Sequence, residues 1–499
     1  MTMTAVTTFE ALSADQPPAL VVPDALQLIA SATAGAGKVV VVLDDDPTGS
    51  QVVHDLPVLT GWDDADLRWA LTHPGGGVFI LTNTRSLGGA ATRSLVEDLD
   101  DRVHRIGDEV GVDVVVISRS DSTLRGHFPL ETDVLAEGAL RRGRPYDATL
   151  LVPAYLDAGR VTVDDIHYAR TPEGFVPVGG TDYATDDAFG YSSSSLPDWV
   201  VEKVGAPTRV GSLSLRDIRV GGVARVTELL LGSRDGTVVV VNALEEADLE
   251  VVALGLAAAE ATGWRALYRT GPSFVPVRVG MPRRPPLQHH EVFGGHPRAG
   301  HGLVVVGSHV ELTTRQVERL RELPDLTTVE LAVSALTSAD GARAEIERCR
   351  DALLAGSARG DVLLVTSRQR IVLRAGESSL EFSQRVSSAL VELTQGLVGA
   401  VELAWVIGKG GITSHDIAMH GLGIRRALVL GQLFPGIVSV WRNEPATDAA
   451  TDDAADDAAE RPASPGPLSG LPYVVFAGNV GDETTLRDAV LTLRGSTRA

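Results

Sequence analysis

The stretch Val39-Val40-Val41-Val42-Leu43-Asp44-Asp45-Asp46-Pro47-Thr48-Gly49 decides the fold. Five consecutive apolar residues, four of them β-branched, suit a strand buried on both faces, as in a parallel sheet covered by helices. Three carboxylates and a turn follow at once, at the carboxyl end of the strand, where open α/β sheets bind their ligands. Outward from this point the alternation continues. Residues 78–82, 114–118 and 149–152 read as further strands, and 65–71, 90–106 and 130–141 between them carry helical periodicity. Residues 153–200 break the rhythm with aromatics, prolines and the run Ser192-Ser193-Ser194-Ser195, which predicts an irregular excursion near a site. A strand at 238–241 and an alanine-rich helix around 250–262 restore it.

Residues 276–302 mix prolines, histidines and glycines without periodicity, as a linker does. Strand patterns return near 303–306, 362–366, 401–407, 427–430 and 473–476. The expected class is therefore α/β with two domains. A flexible arm (1–35) precedes a first domain (36–275) with a largely parallel, Rossmann-like sheet. The linker (276–302) then leads to a second α/β domain (303–495). An Ala/Asp/Pro-rich segment, 445–470, reads as a disordered insertion in that domain.

Composition narrows the function. The 499 residues carry 44 Lys and Arg against 65 Asp and Glu, a formal net charge of -21. Such a surface repels phosphate backbones, which argues against nucleic acid and anionic membranes as partners. An acidic substrate would need its own local cluster of cations. Arginine must supply it, because Lys38, Lys203 and Lys409 are the only lysines. A lone cysteine, Cys349, excludes an internal disulfide and a cysteine metal cluster. No signal-like or membrane-spanning apolar run occurs, so the expectation is a cytoplasmic protein.

Three constellations carry chemistry. Asp44, Asp45 and Asp46, followed by Thr48 and Gly49, can orient hydroxyls and offer a general base, whereas a lone carboxylate here would read as a helix cap. The second is Ser118-Arg119-Ser120-Asp121-Ser122-Thr123-Leu124-Arg125-Gly126-His127, again beyond a strand. It sets two guanidiniums among hydroxyls, a pattern suited to gripping a carboxylate. The third is Gly408-Lys409-Gly410-Gly411-Ile412-Thr413-Ser414. With Gly307-Ser308 and Gly478-Asn479-Val480-Gly481 it offers glycine turns at three strand ends, where main-chain amides can cradle a polyphosphate. The P-loop spacing is absent.

Together these stretches resemble the four-carbon acid sugar kinase family. Its first signature is matched by Asp45, Asp46, Thr48 and Gly49, and its second by Asp121, Ser122, Thr123, Leu124, Arg125 and Gly126. In the second, Arg119 replaces the family's Lys and His127 its Asn. The likeness continues through Pro153-Ala154-Tyr155, Gly159-Arg160, Thr181-Asp182-Tyr183-Ala184 with Asp186, Tyr268-Arg269-Thr270 with Ser273, and the three glycine turns. It implies an N-terminal sugar-acid domain, a C-terminal ATP domain and a site in the cleft between them. The implied reaction transfers phosphate from ATP, with Mg²⁺, to the terminal hydroxyl of an acid such as erythronate, threonate or 3-oxotetronate. On this reading Asp45 or Asp46 accepts the hydroxyl proton. Arg125, with Arg119, grips the carboxylate, and Thr48, Asp121, Ser122, Thr123 and Arg160 complete the substrate site. Ser308, Gly410, Gly411, Ile412, Thr413, Gly478 and Gly481 hold ATP, with Lys409 as an added point charge. The metal ligands stay unknown and a homo-oligomer stays open.

Two other readings compete. Asp44-Asp45-Asp46-Pro47-Thr48 also fits the D-x-D-x-T pattern of haloacid-dehalogenase-type phosphatases, with Asp44 and Asp46 as the working pair and 79–83 as a second motif. A convincing late lysine and acidic pair are missing. A metabolite-binding protein without catalysis is the third reading.

Overall fold

The computed structural model describes residues 6–46, 49–205, 207–295, 298–368, 379–444 and 468–496. It divides into two units, Met1–Arg283 and Arg284–Ala499.

In the first unit the strands are β1 (Lys38–Asp44), β2 (Leu56–Leu59), β3 (Gly77–Leu81), β4 (Asp113–Arg119), β5 (Ala148–Val152), β6 (Arg160–Val163), β7 (Ile166–Thr171), β8 (Gly174–Pro177), β9 (Val210–Leu213), β10 (Thr237–Val241) and β11 (Ala266–Thr270). Eight of them form a sheet in the order β2-β3-β1-β4-β11-β5-β10-β9, with every neighbouring pair parallel. Alternate residues of β1 explain why its sequence is apolar throughout. Val39, Val41 and Leu43 pack with Val96, Leu99, Val103 and Ile106 of the helix Gly89–Val110. Val40 and Val42 face the opposite side and are equally buried, where the helices Ala25–Gly35 and Phe274–Val279 lie against β1.

The predicted irregular excursion contains regular structure. β6, β7 and β8 form a separate antiparallel sheet, and β6 turns into β7 through Asp164 and Asp165, both at positive φ (50° and 64°). Two adjacent left-handed residues are what a tight hairpin of this hand requires. Residues 6–35, expected as a flexible arm, are docked. Thr7 exchanges main-chain hydrogen bonds with Phe175, Arg219 Nη1 donates to the Pro17 carbonyl at 2.7 Å, and Ala25 and Ile29 are buried. Apolar side chains on one face of Ala25–Gly35 explain the docking. The predicted linker also holds short helices, Phe274–Val279 and His289–Val292, and Arg278 is buried in an ion pair with Glu260.

The second unit contains β12 (His301–Val306), β13 (Leu326–Leu331), β14 (Asp361–Thr366), β15 (Leu403–Lys409), β16 (Arg426–Phe434), β17 (Val438–Glu444) and β18 (Pro472–Phe476). Their order is β13-β14-β12-β15-β18-β17-β16. The first five strands are parallel and the last two antiparallel. Val304, Val306, Ile407, Val474 and Phe476 anchor one core. Of the predicted insertion 445–470, residues 445–467 lie outside the described residues. Leu468 is buried and its carbonyl accepts from Asn443 Nδ2 at 3.0 Å.

Candidate active site

β1 and β4 are neighbours, so the first two constellations meet at their carboxyl ends. The acidic run does not point one way. Asp44 is fully buried, and its Oδ1 accepts from Arg119 Nη1 at 2.8 Å and from the Asp46 amide at 3.0 Å. Gly49 must be glycine here, because a Cβ would land on the Asp44 carboxylate. Asp45 is also buried, while Asp46 is about a quarter exposed. Both are bridged by Arg85, whose Nη2 lies 2.9 Å from Asp45 Oδ1 and 2.8 Å from Asp46 Oδ2, with Nη1 4.0 Å from Asp121. Thr48 lies outside the described residues.

Arg85 was not among the residues singled out from sequence, where strand adjacency is not legible. It follows β3, which pairs with β1 in register, so the carboxyl end of β3 must lie beside Asp44. The turn Thr84–Ser86, entered through Asn83 at φ 51°, delivers the guanidinium. Without it Asp45 and Asp46 would lose the cation they share. Burial, with Asp46 and Asp45 adding repulsion, pushes the Asp44 carboxyl up to about 7 despite Arg119. Burial, with Glu131 adding repulsion, pushes Asp45 up to about 6 despite Arg85, Arg269 and Arg119. Asp121 behaves oppositely: burial would raise it, but Arg85 and Arg125 hold it below the usual carboxylate range. Among the described residues Asp44 Oδ2 and Asp45 Oδ2 have no hydrogen-bond donor.

The expected pairing of Arg119 with a substrate carboxylate is not what the geometry shows. Arg119 is buried and committed to Asp44. Beneath it a second buried network ties Arg269 to Glu131 and to Ser118 Oγ (2.7 Å), with Thr84 Oγ1 2.6 Å from Glu131. Ser122 and Thr123 are buried and shape the loop. The Ser122 carbonyl accepts from His167 Nε2 at 2.8 Å, and Thr123 Oγ1 donates to Asp121.

Arg125 and Arg160 are only partly buried. Arg125 Nε donates to Asp121 Oδ2 at 2.6 Å, and its guanidinium carbon lies 5.1 Å from the Tyr183 ring centroid. Arg160 approaches the same ring at 5.8 Å, bonds its hydroxyl at 3.2 Å and donates to the Ala158 carbonyl. Tyr183, from the excursion, thus holds two guanidiniums together.

In the second unit the glycine turns converge because β12, β15 and β18 are adjacent. A Cβ on Gly478 would meet Ser308 Oγ at 3.0 Å, and one on Gly410 would meet Ser308 Cβ at 3.2 Å and Thr413 Oγ1 at 3.3 Å. Gly410 has φ 117°, a conformation side chains rarely adopt, and Gly481 has φ 79°. Gly411 opens the helix Gly411–Asp416, and space for a methyl there is empty. Its ladder begins with Ser414 N donating to Gly410 O at 2.7 Å, which leaves the amides of Gly411, Ile412 and Thr413 ahead of it. Ile412 is largely exposed. Bare backbone of this kind fits the phosphates of a nucleotide.

Comparison with known proteins agrees with this division. A sugar-binding N-terminal domain family matches residues 40–278, and a nucleotide-binding C-terminal domain family matches residues 303–486. A 3-oxo-isoapionate kinase from Paraburkholderia graminis is 31% identical over 163 residues, which is 30% of this chain and 30% of that protein's own length. A Salmonella typhimurium LT2 structure with a provisional tRNA synthase assignment matches with TM-score 0.63 and 19% identity, covering 91% of this chain and 98% of that one. A Haemophilus influenzae structure, placed in a family of unknown function, matches with TM-score 0.59 and 17% identity over 90% and 98%. These two likenesses speak for the fold alone. Fold and family domains together define a two-unit α/β protein with one sugar-binding and one nucleotide-binding domain. The chain belongs to the four-carbon acid sugar kinase family.

Proposed function

We propose that this protein is an ATP-dependent kinase that phosphorylates the terminal hydroxyl of a four-carbon sugar acid of the 3-oxotetronate, threonate or erythronate type. The observation that carries the reading is Arg160. Among the described residues its guanidinium has only neutral partners, the Ala158 carbonyl and Tyr183, and its Nε has none. A cation left without a carboxylate, beside Arg125 and within reach of an acidic cluster, suits a small ligand that brings its own carboxylate.

In this reading Arg125 and Arg160 grip the acid and Arg119 is structural. Asp46, the most exposed of the three aspartates, orients the terminal hydroxyl and receives its proton. Asp45 stands behind it and shares Arg85, which keeps both carboxylates in place. Gly410, Gly411, Ile412, Thr413, Ser308, Gly478 and Gly481 present their backbone to the nucleotide. ATP would supply the phosphoryl group, and a Mg²⁺ ion bound with it would supply neutralisation of the phosphate charge. Among the described residues no cluster of three His, Cys, Asp or Glu is poised to hold a metal.

The phosphatase reading needs an accessible nucleophile at Asp44, and that carboxylate is fully buried against Arg119. No helix among the described residues is long and apolar enough to cross a membrane. A cytoplasmic setting fits a chain with one cysteine.

A coupled ADP-release assay over erythronate, threonate and oxotetronate stereoisomers tests the proposal. Saturable ADP formation with one acid, and none with the matching polyol, is expected. Ligand binding without ADP would favour a non-catalytic protein, and phosphate release from phosphorylated acids without ATP would favour a phosphatase.

A further inference from the structure

Lys409 is wholly buried at the end of β15. Its Nζ donates to the carbonyls of Ala477 (2.6 Å) and Gly478 (3.0 Å) and lies 4.0 Å from the centroid of the Phe476 ring. All three partners are neutral, and all belong to β18 or the turn after it. The Gly478 carbonyl also accepts from Thr313 Oγ1 at 2.7 Å, and the same hydroxyl lies 3.2 Å from Ser308 Oγ. One chain of contacts therefore links the second glycine turn to the third and the third to the first. An ammonium buried without an anion is costly. The charged or titratable groups on the surrounding elements include Tyr473 on β18, whose hydroxyl donates to the Ser414 carbonyl at 2.6 Å, His309 and Arg368 near Ser308, His415 and Asp416 on the helix after Gly410, and Asp482 beyond Gly481. Among the described residues none of them forms an ion pair with Lys409, and burial alone draws the lysine down to about 7.

We propose that Lys409 is the positioning cation of the nucleotide cradle, joining two of its glycine turns and supplying from beneath them the positive charge that bound phosphates answer. The inference rests on the reading of the second domain as nucleotide-binding. It turns a buried group that looks like a defect into part of the site. Its ammonium form stays uncompensated until an anion occupies the cradle. An anion there favours the ammonium form, so binding and protonation are linked, and each strengthens the other equally. Above neutral pH the unliganded protein holds Lys409 partly neutral. Phosphate binding then draws up to one proton from the buffer onto Nζ.

The test is calorimetric titration of the full chain with ADP at pH 8, where ADP is already fully ionised, in two buffers of different ionisation enthalpy. The expected result is uptake of a sizeable fraction of one proton per ADP. In Lys409→Met the uptake should vanish and ADP affinity should drop by about ten- to a hundredfold. Lys409→Arg, which keeps the charge, should recover part of the affinity without the proton uptake. Wild-type binding at pH 8 with no uptake overturns the inference even if the Met variant fails to fold. Unchanged uptake in Lys409→Met overturns it too, and in both cases the kinase reading stands. Failure of the wild-type chain to bind ADP at all overturns both together.

Discussion

Arg119 Nη1 lies 2.8 Å from Asp44 Oδ1, and both side chains are buried. A guanidinium in that position cannot turn to a substrate without leaving a charge alone in the core. Removing one member of such a pair costs about 3–5 kcal/mol. Arg119→Met should therefore lower stability by that order in urea unfolding. Arg119→Lys, if it folds, should leave the KM for the acid within a few fold of wild type. A large KM increase in the lysine variant with unaltered stability would return Arg119 to the substrate site.

Arg125 and Arg160 make the opposite prediction. Both flank Tyr183, and neither lies in the hydrophobic core. Replacing either with Met should raise the KM for the acid by roughly tenfold to a hundredfold, as loss of a charge-assisted hydrogen bond does. The melting temperature should move little in the Arg160 variant and fall somewhat in the Arg125 variant, which leaves Asp121 to Arg85 alone. Nucleotide affinity, read by ADP titration, should not change. Equal losses in acid and ADP affinity would mean that the variants disturb folding rather than recognition.

The contrast between these arginines marks where sequence reading stopped. Val39–Leu43 announces a strand buried on both faces because it is short, apolar throughout and mostly β-branched, and the acids after it then sit at a strand end. Repeated glycine turns after apolar runs announce the second site in the same way. Which guanidinium meets which carboxylate depends on strand order, and adjacency of β1 to β3 and β4 is not written in local pattern. Arg85 went unseen for that reason, and Arg119 was assigned to the ligand. The β6–β8 sheet was missed for a different reason. Its hairpin uses Asp164-Asp165 instead of a glycine, so the turn signal was weak.

Asp45 makes activity and stability pull in opposite directions. Its carboxyl sits near 6 in the folded chain against 3.8 when unfolded, because burial disfavours the charge. The folded state therefore binds the extra proton between those values, and stability falls as pH rises from about 4 to about 6. An amide has no charge to bury. Asp45→Asn should melt higher than wild type at pH 8, by about 3–6 °C if the gain is one to two kcal/mol, with little difference near pH 4. Turnover should fall severely, since Arg85 would lose one of the carboxylates that fix it against Asp46. Thermal melts at the two pH values, read beside the rate, decide the matter. A variant less stable at pH 8 than wild type contradicts the assigned strain.

Gly410 and Gly411 are neighbours that should fail in different ways. Gly410 holds φ 117° and faces Ser308 and Thr413 closely, so an added methyl strains the backbone whatever else is bound. Gly411 starts a helix, and nothing lies within 4 Å of where its Cβ would stand. Gly410→Ala should thus lose about 1–3 kcal/mol of stability together with ADP binding. Gly411→Ala should keep its melting temperature, or gain slightly from reduced freedom in the unfolded chain. If phosphates rest against that open backbone, the methyl stands in their way, and ADP affinity should fall at least tenfold while acid binding persists. An alanine at 411 that binds ADP as tightly as glycine would show that the phosphates lie elsewhere along the three turns.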